Sequence, residues 1–146
     1  MPIIHHMPMN MKFASTIARY LLGLMFTVFG LNGFFHFIHQ PPPANPLAIQ
    51  FLVAVGASHF AAFFFAVQVL GGVLLLSGIC VPLALIMLAA ELYNILAFHL
   101  MFESGAGIAP ALVACVLWVR VFLQHRESFN GIFNAKPATQ TIPHFD

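Results

Sequence analysis

The run ELYNILAFHLMFE, residues 91 to 103, sets a carboxylate (Glu91), an amide (Asn94), an imidazole (His99) and a second carboxylate (Glu103) inside a long apolar stretch. A carboxylate and an imidazole together can take up, hold and pass a proton, and an imidazole can also ligate a metal or haem iron. Each is costly in hydrocarbon, about 2.5 kcal/mol or more for a carboxylate at the bilayer centre, so ionisable groups kept there are candidates for function. Further imidazoles accompany them: His36 and His39 close an earlier apolar run, and His59 opens the next. Gln68 lies midway along that second run, while Arg19 and Arg120 stand near the ends of the first and last.

The elements that must position these groups are apolar helices. Of 146 residues, 61% are hydrophobic and 6% charged, whereas a soluble domain carries about a quarter charged residues. Lipid is therefore the solvent for most of the side chains. A net charge of +1 without basic clusters excludes a nucleic-acid footprint. The two cysteines, Cys80 and Cys115, are too far apart for a metal or redox motif and exclude a disulfide framework.

A helix needs about 20 apolar residues to cross the hydrocarbon core, and the chain offers such runs at 13–38, 57–79, 81–102 and 106–123. Pro41, Pro42 and Pro43 stop the first, and Pro82 and Pro110 fall in the first turns of the third and fourth, where a missing amide costs nothing. NPLAIQFLVAV at 45–55 is too short to cross and predicts an interfacial or re-entrant helix. The first run is too long for a signal peptide, and FHFIHQPPP offers no small-residue cleavage site. The expectation is one all-α domain, an integral membrane four-helix bundle over 13–126. A cytoplasmic segment at 1–12 precedes it and a flexible cytoplasmic tail at 127–146 follows. Lys12 and Arg19 flank the start of the first run, and Arg120, Arg126 and Lys136 the end of the fourth, so both termini are expected in the cytoplasm.

With that orientation, His36, His59 and His99 differ in depth by only a few ångströms at about 1.5 Å per residue. Asn32, His36 and His39, spaced i, i+4, i+7, share one helix face. Half of the eight histidines thus converge on the outer face. His36, His39, His59 and His99 could ligate a metal or haem. Alternatively Asn32, His36, His59, Asn94 and His99 could bind a quinone-like ligand walled by Phe35, Phe60, Phe63, Phe64 and Phe98, or the imidazoles could relay protons. The bland alternative is that imidazoles are tolerated at a membrane interface, their tips in water. Deeper, Glu91 is expected to be neutral or paired, with Gln68 or an arginine, and to point into the bundle with Asn94. Such a group is either interhelical glue, worth about 0.6 kcal/mol per hydrogen bond, or a proton site. Gly23, Gly30, Gly33, Gly71, Gly72 and Gly78 supply surfaces for close helix approach, and Trp118 with Arg120 fits an interface anchor.

The stretches ARYLLGLMFTVFGLNGFFHF, VQVLGGVLLLSGICVPLALIML and NILAFHLMF resemble the DoxX family of small bacterial four-helix membrane proteins. The likeness covers 13–126 and is carried by Gly30, Asn32 and Gly33, by the LGG at 70–72, by Ser77 and Gly78, and by Pro82, Asn94 and His99. The resemblance implies a bacterial inner-membrane location and a place among redox assemblies, since the family is named for a subunit of a thiosulfate:quinone oxidoreductase. Glu91 matches no family motif. The leading expectation is a redox-linked membrane component, with quinone or haem as cofactor and redox subunits or a second copy of the chain as partners. A non-catalytic scaffold or assembly factor, and a small transporter, are the alternatives.

Overall fold

The computed structural model describes residues 9–103 and 107–132. These form five α-helices and a closing 3-10 turn: α1 (Met9–Phe35), α2 (Pro46–Ala57), α3 (Phe60–Ser77), α4 (Val81–Phe102), α5 (Ala109–His125) and the turn Arg126–Phe129. Among the described residues there is no strand. Helix α1 packs on α3 and α5, and α4 packs on the same two from the other side, so the four long helices close a ring. Helix α2 lies against α3 and α4.

Helices α1 and α4 are long and apolar enough to cross a membrane. Helices α2 and α3 pass the same test only as a pair, broken by a bend of 82°. The bend sits at Ser58 and His59, where His59 adopts φ 57 and ends the run of α-helical backbone. Helix α5, with 17 residues, is shorter than the roughly 20 a hydrocarbon core asks for. Among the described residues the chain is thus all-helical, with two, or as many as three, helices long and apolar enough to span a membrane. The short helix expected at 45–55 is α2, opened by Asn45, whose side-chain oxygen accepts from Leu47 N at 2.9 Å, and by Pro46 in the first turn.

The closest packing is between α1 and α3, which run antiparallel. Gly30 faces Gln68 and Val69, Gly72 faces Thr27, and Gly23 faces Leu75 and Leu76. A Cβ on Gly72 would stand 2.7 Å from Thr27 N and 2.8 Å from Gly23 O, backbone atoms that no rotamer change can move. Small residues here let two backbones touch, the usual way apolar helices associate when lipid removes the hydrophobic drive. On the other side of α3, Gly71 takes the Leu88 side chain of α4. Leu22, Leu75, Leu85, Leu88 and Val121 are wholly buried where the four helices meet. Trp118, expected as an interface anchor, ties α5 to α4: its indole donates to Leu85 O at 2.9 Å and its ring stacks on Phe122.

One boundary departs from expectation. Helix α1 ends at Phe35, well short of the prolines, because His36 takes the left-handed conformation (φ 54) with its N–H on Asn32 O at 2.8 Å. The Asn32 side chain then holds the loop, its oxygen accepting from Ile38 N at 2.5 Å. The tail expected to be flexible falls largely outside the described residues, as does most of the segment at 1–12.

Candidate functional site

Glu91 is 5% exposed and Gln68 8%, on facing turns of α4 and α3. The Gln68 amide donates to a Glu91 carboxylate oxygen at 3.5 Å. The register set where Leu88 seats on Gly71 brings them level. Of the expected alternatives, then, Gln68 is the partner. Arg19 is engaged elsewhere: its guanidinium donates to Leu75 O in the last turn of α3 and lies 4.5 Å over the Tyr20 ring. A cation on those carbonyls complements the helix terminus. The Arg120 carbonyl accepts from Ser15 Oγ at 3.5 Å, tying α1 to α5.

Asn94 does not point into the bundle beside Glu91. It is exposed, and its amide donates to Ala90 O of its own helix at 2.9 Å. Three residues correspond to about 300° around a helix, or 60° short of a full turn. That offset carries Asn94 off the α3-facing stripe.

The second carboxylate meets a different partner. His99 Nδ1 lies 2.5 Å from Glu103 Oε2, one turn apart at the end of α4, with the two side chains 21% and 19% exposed. Phe98 sets its edge against the His99 ring at 5.7 Å between centroids and meets Phe102 at 5.4 Å. From α2, Phe51 stacks on Phe102 at 5.4 Å. Asn45 locks α2 onto this end: its amide donates to Phe102 O at 2.7 Å while its oxygen caps α2. Gly107, at φ 72, runs over the pair, and a Cβ there would stand 3.3 Å from the His99 ring and 3.5 Å from Glu103 Oε2. With Nδ1 on a carboxylate, Glu103 fixes the orientation of the His99 ring.

The other expected site residues do not join this arrangement as foreseen. Because α1 stops at Phe35, the common helix face expected for Asn32, His36 and His39 does not form. Asn32 holds the loop after α1, and His36, His39 and His59 are exposed. Of the expected aromatic walls, Phe98 stands beside His99. Phe60 pairs with Phe64, Phe63 is 72% exposed, and Phe35 lines an open apolar groove of about 600 Å³ between α1 and α3. Among the described residues no three His, Cys, Asp or Glu side chains gather to hold a metal ion. Sequence reasoning passed over Asn45, Phe51, Phe102 and Gly107. The Asn-Pro pair at 45–46 was a legible helix start, but not a sign that the same amide reaches α4.

No family model matches the chain, and no curated protein or solved structure matches it either.

Proposed function

We propose that the protein binds a small apolar ring ligand with a hydrogen-bonding oxygen, quinone-like in character, at the end of α4, as a redox-linked component of a bacterial inner membrane. The observation that carries this is the half-buried His99–Glu103 pair set against Phe98, Phe102 and the docked Phe51. The His99 imidazole would hydrogen-bond the ligand oxygen, Glu103 would hold the ring, and the phenyl rings would receive the ligand's apolar face. In the same reading α1, α3, α4 and α5 all cross the bilayer, α2 lies along the outer interface, and both termini face the cytoplasm, where Lys12, Arg19, Arg120 and Arg126 gather. The resemblance to DoxX-like proteins in 13–126 agrees with this arrangement.

The test is organic extraction and an optical spectrum of the protein purified in mild detergent, alongside His99→Ala. Co-purified quinone at near-stoichiometric level, lost in His99→Ala while the helical signal persists, is the expected result. A quinone-free, colourless protein that retains a partner on mild-detergent purification would favour the scaffold instead.

A further inference from the structure

The end of the helices opposite His99 is predominantly basic among the described residues. Lys12 and Arg19 on α1, Arg120 on α5 and Arg126 in the closing turn stand there with one described acid, Glu127. The Ser15 bond to Arg120 O fixes α1 and α5 side by side at this depth. From that level Lys12 lies roughly 4–5 Å further toward the end of the molecule along α1, and Arg126 roughly 9 Å further along α5, at about 1.5 Å per residue. Both are exposed. His125, past the apolar run of α5, is half-buried, and burial followed by the charge of Arg19 pushes its imidazole below the usual range. Basic residues thus outnumber acids among the described residues at this end.

Just inside this basic lip the outer sides of both helices are apolar. Phe13 and Ile17 on α1 are 69% and 43% exposed, and Val119 and Leu123 on α5 are 48% and 44% exposed. A cationic lip above a hydrocarbon-facing wall is the complement of a molecule with an anionic head and acyl chains.

We propose that the α1–α5 seam binds an anionic phospholipid, its headgroup phosphate on Lys12 and Arg126 and its chains along the exposed apolar sides of α1 and α5. The proposal rests on α1 and α5 crossing the bilayer, and it is independent of the ligand at His99. A zwitterionic lipid presents no net charge to this lip, and Glu127 disfavours an anion there.

The experiment is native mass spectrometry of the full chain in mild detergent, titrated with phosphatidylglycerol or with phosphatidylcholine. Phosphatidylglycerol adducts are expected to persist where phosphatidylcholine adducts dissociate. Lys12→Gln and Arg126→Gln should each weaken phosphatidylglycerol binding about five-fold, and Glu127→Gln should strengthen it. Both basic positions are exposed, so the helical circular dichroism of the variants should match that of the parent. Equal retention of the two lipids, or unchanged phosphatidylglycerol affinity in the double variant, overturns the proposal. Displacement of phosphatidylglycerol by equimolar inorganic phosphate also overturns it, because the seam would then be a free-anion site.

Discussion

Glu91 stands in α4 and Glu103 caps its end, twelve residues on and so about 18 Å along the axis, yet each is satisfied by a different kind of partner. Glu91, at the middle of α4, has its carboxylate met by an amide from α3, a hydrogen bond that exists only while the helices keep their register. Glu103, at the end, meets an imidazole of its own helix one turn back, a pairing the helix makes by itself. The first pair reports on assembly of the bundle. The second needs the bundle only for its surroundings, the phenyl rings and the loop at Gly107. Here the interhelical partner specifies packing, and in the proposed function the local one orients an imidazole toward a ligand.

The comparison can be broken most severely at Gly72. Gly72→Val drives a side chain into the backbone of α1 and should cost about 3 kcal/mol, at the upper end of ordinary overpacking. Unfolding in detergent titrated with sodium dodecyl sulfate should show this, and the shift in register should break the Gln68–Glu91 hydrogen bond as well. Next in size is Glu91→Ala, which leaves the Gln68 amide buried without its partner and should cost about 2 kcal/mol in the same titration. The double replacement Gln68→Leu with Glu91→Leu should recover most of that loss; if it remains as unstable as the single variant, the pair is not acting as mutual satisfaction. At the rim, Glu103→Gln should change stability by less than about 1 kcal/mol, as for other partly exposed pairs, while weakening the ligand at least as much as it loosens His99.

The smallest effect lies at the opposite end. His125 has its folded-state pKa lowered by burial and then by Arg19, so the unfolded chain takes up that proton first as pH falls. Its contribution is absent above both pKa values, and stability declines as pH drops below about 6.5, levelling off below the folded value. Unfolding midpoints measured across that window should slope less steeply in His125→Gln than in the parent chain.

The two carboxylates also mark how far a sequence can be read. That Gln68 could partner Glu91 was legible as one of the alternatives, because midpoints of antiparallel neighbours fall at one depth. The short helix after the first span was legible from Asn45, Pro46 and its length. Which side of a helix faces inward was not, because an apolar helix in lipid has no polar stripe to mark its outer face. Asn94 was therefore turned toward the interior when it faces out. The end of α1 was illegible for another reason: a histidine, not a glycine, takes the left-handed turn at His36, and Asn32 stabilises it through a side-chain bond to Ile38 N. That single turn removed the shared face expected for Asn32, His36 and His39, and left the dyad at the end of α4 as the candidate site.

The most direct test of the distinction is a calorimetric binding titration with decylubiquinone on the parent protein, His99→Ala and Glu91→Gln in parallel. The account predicts at least ten-fold weaker binding for His99→Ala, with Glu91→Gln close to the parent. Unchanged binding in His99→Ala, or loss of binding confined to Glu91→Gln, would contradict it and move the site into the middle of the bundle.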